Sequence, residues 1–364
     1  MQSIFVTGIF FLACHLAYAQ AWPPNLQHIQ VRSSADQTEQ PALAWSPPGT
    51  EARPLLVGLH TWSSDYKQSS NGRAYAHWCS QMGWHFIAPN FRGPNNTPEA
   101  MGSDLAVQDV VDAVEHMKKS QAVDTSRIYL IGVSGGGHMA MLMAGRHPEI
   151  WAGVSAWCGI SDIAAWHSEH LRNGRPDGYA QNIEASLGGP PTDARLQEAI
   201  KRSPLTWLSR ARQLPLDLNH GIQDGRLGSV PFRHSLLAFN QAAAETLPDQ
   251  EIQSYYETQQ RPSSWPAPEP DPLYISILPP GSKRPGWMPG STESRLLKET
   301  LRTPKPVLFR KISGSTRITL FDGAHEIIYN AGLNWLAAQQ KGTPVVWDLK
   351  NPILLESGDT QSGL

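Results

Sequence analysis

The stretch "RIYLIGVSGGGHMAMLMAGRHP", Arg127 to Pro148, restricts this chain more than any other. An apolar run of strand character ends at Gly132, and small and apolar residues at helical spacing follow Ser134. A strand that passes into a helix with a single serine at the corner needs a tight, strained turn. A Cβ at the flanking glycines, Gly132 or Gly136, would collide where the strand and the helix pass each other. The strand therefore belongs to a sheet with helices packed on it, and the Ser134 hydroxyl projects from the end of that sheet.

The rest of the chain repeats the alternation. "PLLVGLH" (Pro54–His60), "WHFIAP" (Trp84–Pro89), "AGVSAW" (Ala152–Trp157), "PLDLNHG" (Pro215–Gly221) and "RITLFDG" (Arg317–Gly323) read as strands, several of them apolar throughout. Helical patterns lie between or after them at Leu105–Met117, Met139–Arg146, Phe232–Ala244 and Glu326–Gln339. The expected fold is α/β: a mostly parallel, doubly wound sheet with helices on both faces and right-handed crossovers. "LQHIQVRSS" and "QPALAWS" precede it as an antiparallel pair. Residues 259–304 are rich in Pro, Gly and Ser, and a loop of that length in a compact domain is either functional or disordered. Its Trp265, Tyr274 and Trp287 favour a lid-like insertion over the top of the sheet, with a plain surface loop as the alternative.

Gly132-Val133-Ser134-Gly135-Gly136 fits the G-x-S-x-G nucleophile elbow, in a strand-to-helix setting that gives the pattern weight. A serine hydroxyl is a weak nucleophile at neutral pH and needs a base and an acid that orients the base. In chain order these should be Asp or Glu, then His. "NHGIQDGRLGSVP" supplies Asp224 after one strand, and "RITLFDGAHEIIYN" supplies His325 after the last. Asp162, in "GISD", is the rival acid. His138 falls along the helix below the elbow and reads as packing, and Glu326 reads as facing away from its neighbour. An oxyanion formed at the site needs two backbone N–H donors, expected from Gly135 and from Trp62, with Thr61 as second choice. Tyr66 and Arg92 are further candidates for substrate contact; a structural role, a salt bridge in the case of Arg92, is the alternative for each.

With "GVSGGG", "HGIQDGRLGSVP", "DGAHEI", "PNFRG" and "VQDVVDAVEHM" quoted together, the chain from about Leu55 to Leu336 resembles the α/β-hydrolase catalytic domain of the prolyl oligopeptidase family. The resemblance implies the same nucleophile, acid and base: Ser134, Asp224 and His325. Two departures stand out. Val230-Pro231 lies three residues further from Asp224 than is usual in the family. About 35 residues of mature chain precede "PLLVGLH", too few for one blade of the family's β-propeller. The expectation is therefore a serine hydrolase acting on carboxylic esters, including acyl esters of carbohydrates. The alternative is a propeller-less serine peptidase acting on short peptides. All three members being present argues against a binding protein that has lost its chemistry.

The chain has 364 residues and a formal net charge of −2, so neither nucleic acid nor a membrane surface is favoured by charge. Residues 1–19 are apolar for about a dozen positions and end in Ala17-Tyr18-Ala19, which reads as a cleavable signal peptide and predicts a secreted or periplasmic protein. Residues 20–364 then form a single domain, with small-molecule or oligosaccharide esters, or short peptides, as partners. Cleavage leaves Cys79 and Cys158, which read as two buried thiols rather than a disulfide framework. No metal or cofactor is expected, since neither cysteine has a ligand at metal spacing. Thirteen tryptophans suggest platforms for sugars or, alternatively, ordinary core packing.

Overall fold

The computed structural model describes residues 21–278 and 301–353. Nine strands form one sheet. They are β1 (Gln27–Arg32), β2 (Glu39–Trp45), β3 (Arg53–Leu59), β4 (His85–Pro89), β5 (Val123–Val133), β6 (Gly153–Trp157), β9 (Leu216–Gly221), β12 (Val307–Ser313) and β13 (Thr316–Phe321), in the spatial order β1-β2-β4-β3-β5-β6-β9-β13-β12. Two short hairpins stand apart: β7 (Leu171–Arg172) with β8 (Arg175–Pro176), and β10 (Ile275–Leu278) with β11 (Leu301–Pro304). From β4 to β13 the sheet is parallel; β1, β2 and β12 pair antiparallel at its two edges. This is the doubly wound α/β arrangement that the alternation of strands and helices implies.

The apolar strands feed two cores because successive side chains point to opposite faces. Leu55, Val57 and Leu59 of β3 join one core, while Leu56 joins the other. The first core takes α2 (Asp104–Ser120), α3 (Gly135–Arg146) and α7 (Arg233–Ala242); the second takes α1 (Asn71–Met82) and α9 (Tyr329–Ala337). Helix α2 shows how local sequence sets an element. Ser103 caps it by accepting from the Ala106 amide (3.1 Å), Asp104 opens it and Lys118 and Lys119 close it, in line with the helix dipole. Its buried stripe runs Ala106, Val107, Val110, Ala113, Val114, Met117, the spacing of one helical face. Helix α3 is buried all round, as its apolar sequence requires.

The elements that cover the C-terminal edge of the sheet come from an unexpected place. Between β6 and β9 the chain forms α4 (Ile163–Glu169), α5 (Gly178–Leu187) and α6 (Asp193–Lys201), and these build a third core. It contains Trp62, Ile163, Trp166 and Ile183. The described parts of the Pro/Gly-rich stretch pack against the rest of the domain. After α8 (Asp249–Thr258), Trp265 is buried against Tyr255 and Phe309, and Tyr274 is buried beside Trp157 and Phe321 with its hydroxyl on Asn219 Oδ1 (2.5 Å). Its described part is thus anchored in the body of the domain; Trp287 lies outside the described residues. Among the described residues six tryptophans are fully buried, so core packing accounts for much of the tryptophan content. Cys79 and Cys158 are buried and unpaired.

Candidate active site

Ser134, Asp224 and His325 are contributed by turns after β5, β9 and β13, adjacent to one another in the sheet except for the intervening β6. Ser134 has φ 61° and ψ −123°, outside the regions a serine ordinarily occupies. Gly132 permits this corner, because a Cβ there would lie 2.3 Å from the Gly136 carbonyl oxygen. Ser134 and His325 line a common cavity of about 320 Å³, together with Thr61, Trp62, Asn71 and Tyr179 among others.

Asp224 is fully buried and its carboxylate is saturated. Oδ1 accepts from the amides of Gly225 (2.9 Å) and Val230 (3.1 Å); Oδ2 accepts from His325 Nδ1 (2.6 Å) and His220 Nε2 (3.0 Å). Burial alone would raise its pKa, but the bonds from His220 and His325 outweigh it and hold the carboxyl well below the usual carboxylate range. His325 Nδ1 therefore carries a hydrogen, which leaves Nε2 unprotonated in the neutral ring. The two loops are also stitched by backbone bonds: Ile222 N to the Phe321 carbonyl (2.9 Å) and Gln223 N to the Gly323 carbonyl (2.9 Å).

His220 was not singled out from the sequence. Its Nε2 faces two acceptors, Asp224 Oδ2 and the Val230 carbonyl (both 3.0 Å), so that nitrogen is the protonated one, and Nδ1 accepts from the Ser235 hydroxyl (2.7 Å). Burial pushes its pKa down, which keeps it a neutral donor to Asp224. Its position four residues before Asp224, at a strand end, was the available signal.

The loop after β3 presents Trp62. The Thr61 amide is committed to Gln68 Oε1 (3.0 Å), whereas the Trp62 amide has no acceptor among the described residues. A Cβ on Gly135 would lie 2.5 Å from the Trp62 nitrogen, so the two amides share one small space. Asn95 locks this arrangement: its backbone N (2.9 Å) and side-chain Nδ2 (3.3 Å) donate to the Trp62 carbonyl, and its Oδ1 accepts from the Met101 amide (2.8 Å). Backbone amides beside a serine hydroxyl are the kind of donor that an oxyanion at that position needs.

Other candidates take different places. Asp162 caps α4 through the Ala165 amide (3.0 Å). His138 is buried with Nε2 on the Arg202 carbonyl (2.8 Å), and burial pulls its pKa down to about 4. Arg92 does not line the cavity; its guanidinium is closed off by Asp109 (2.6 Å) and Asp36 (2.7 Å), the structural alternative. Tyr66 also lies off the cavity, its ring edge-on to His28 at 6.0 Å. Glu326 does reach the cavity wall, but its carboxylate is held by Lys305 (2.6 Å). The predicted last helix starts at Tyr329 rather than Glu326, so His325 sits in a free-standing turn. Cys158 Sγ, a carboxylate oxygen of Asp224 and a ring nitrogen of His325 lie within 4.8 Å of one another. Burial raises the Cys158 pKa well above its ordinary value, so the group is a thiol that donates to the Glu326 carbonyl (3.4 Å) beneath the histidine.

The chain is 23% identical over 180 residues to feruloyl esterase B of Thermothelomyces thermophilus, covering 47% of this chain and 59% of that protein. It is 24% identical over 184 residues to the mouse acylamino-acid-releasing enzyme, covering 46% of this chain and 23% of that one. In each case it spans less than two thirds of the relative's length. The acylaminoacyl peptidase of Pyrococcus horikoshii superposes with a TM-score of 0.49 at 18% identity, over 60% of this chain and 35% of that structure. The profile of the prolyl oligopeptidase family matches residues 71–255, a span that includes Ser134 and Asp224 and half of the chain, and the protein belongs to that family.

Proposed function

We propose that this protein is an exported serine hydrolase of carboxylic esters, with Ser134 as nucleophile, His325 as base and Asp224 as the group that fixes the imidazole. Ser134 Oγ attacks the ester carbonyl carbon and its proton passes to His325 Nε2. The bond to the alcohol oxygen breaks, and His325 returns the proton to that oxygen. Water then attacks the acyl-enzyme by the same route and releases the carboxylic acid. The amides of Gly135 and Trp62 hold the oxyanion in both steps; one such donor is worth roughly 10²–10³ in rate.

The observation that carries this reading is the 2.6 Å bond between His325 Nδ1 and a fully buried Asp224, at a cavity that Ser134 also lines. Ester chemistry is supported by the similarity to a feruloyl esterase over 59% of that protein's length. Cleavage of short peptides is the second reading, supported by the family itself. Export is supported by the apolar run before Ala17-Tyr18-Ala19, which lies outside the described residues. A fluorophosphonate probe should label the wild type and not Ser134→Ala; equal labelling removes Ser134 from the reaction. Acetyl esters assayed beside Pro-linked peptide anilides decide between ester and amide, and anilide turnover without ester turnover reverses the ranking.

A further inference from the structure

The cavity that holds Ser134 opens into a second depression of about 390 Å³, and the two share Ser63, Gln68 and Ser70. That volume is within the range of roughly 300–1,000 Å³ typical of small-molecule sites. The wall of the depression is formed by four serines, Asp65, Lys67 and Gln68, with Pro94 as the one apolar residue. Neither the Asp65 carboxylate nor the Lys67 ammonium has a salt-bridge partner among the described residues, and their opposite charges cancel across the trough. A trough of this kind offers many hydrogen bonds, no net charge and a mostly polar surface. It suits a neutral molecule rich in hydroxyls: with Asp65 and Lys67 side by side neither sign of charge is favoured, and Pro94 is the one apolar residue to pack on.

The trough also lies toward the part of the cavity tied to His325. Asn71 lines the catalytic cavity, and its Oδ1 accepts from the Tyr329 hydroxyl (2.6 Å) in the first turn after the His325 loop. Asn71 directly follows Ser70, which belongs to both depressions. The departing oxygen of an ester must face His325 to receive its proton. The polar wall therefore falls to the alcohol half of the substrate. Tyr179, packed on the buried Trp166 (centroids 5.1 Å), is left for the acyl half.

We propose that the Ser63–Ser70 trough is the alcohol subsite and that it takes a neutral polyhydroxylated alcohol, a sugar unit bearing an acyl ester. The proposal rests on the ester-hydrolase reading above. Its test compares an O-acetylated oligosaccharide with phenyl acetate, which carries the same acyl group on an apolar alcohol. The full chain should show a kcat/KM at least tenfold higher for the acetylated sugar. Ser69→Trp, which fills the trough from an exposed position, should lower kcat/KM for the sugar ester at least tenfold more than for phenyl acetate, mainly through KM. Lys67→Ala, also exposed, should lower the same ratio by a smaller factor. Phenyl acetate hydrolysis without a preference for the sugar ester, or an equal loss on both esters in Ser69→Trp, overturns the subsite while leaving the esterase reading intact. Failure on both esters with turnover of a peptide anilide overturns the esterase reading itself, and the subsite with it.

Discussion

Asp109 and Asp224 are both enclosed carboxylates, 3% and 0% exposed, and both are ringed by donors, yet they do different work. Asp109 accepts from Arg92 Nε (2.6 Å) and Nη2 (3.1 Å) and from the Ser33 hydroxyl (2.6 Å), and Arg92 Nη1 and Nη2 also donate to Asp36. Every charged atom in that cluster is answered by another, and none of the three charged residues lines the catalytic cavity. Asp224 is answered just as fully, but its partner His325 commits only Nδ1 and stands at a cavity wall. A site is distinguished from a scaffold here by a group left without a partner among the described residues where a substrate can reach it, rather than by burial or charge.

Three experiments break or sharpen that contrast. Asp224→Asn keeps the shape but presents an amide to His325 and loses the charge that favours the imidazolium; kcat on an ester should fall on the order of 10⁴-fold. A loss below tenfold would place Asp224 with Asp109 as scaffold. Arg92→Met should act in the opposite way. It strands Asp109, and removing one partner of a buried ion pair costs about 3–5 kcal/mol. A lower melting temperature is expected with kcat and KM unchanged while the protein is folded; a raised KM without loss of stability would return Arg92 to the substrate.

The smallest effect concerns His138, a third buried polar group, neutral at pH 7 and one turn along the helix from Ser134. Its folded pKa of about 4 lies below its unfolded value of about 6.5, so the unfolded chain takes up a proton that the folded chain refuses. Stability should fall as the pH drops from about 6.5 through about 4. His138→Gln, which keeps a donor for the Arg202 carbonyl, should flatten that decline in urea unfolding at pH 7, 5.5 and 4.5. An unchanged slope would assign the decline to other buried histidines such as His60, whose pKa burial also lowers.

The sequence was a good guide to this molecule wherever the constraint is local. Six of the sheet's parallel strands were readable from apolar runs, and the Ser134 corner from glycines whose missing side chains are a steric necessity. The Asp224 and His325 turns could be placed because they follow such strands. It was a poor guide where burial is partial. Helix α1 turns inward mainly Tyr75, Ala76, Trp78 and Cys79, and α8 only Ile252 and Tyr255, so neither has a periodic stripe long enough to recognise. β12 alternates buried and half-exposed positions at the sheet edge and was passed over for the same reason.

By itself, then, the order of residues determined a doubly wound sheet and which turns carry a serine, an acid and a histidine, since strand and helix periods and glycine sterics act within a few residues. Only the tertiary structure decided that His220 backs Asp224, that Asn95 aims Trp62, that the segment between β6 and β9 builds a third core with Trp62, and that Arg92 is closed within a salt-bridge cluster. Each of those depends on groups that meet across turns or large sequence separations, where a residue's neighbours in space, and not in the chain, set whether its polar atoms are spent or free.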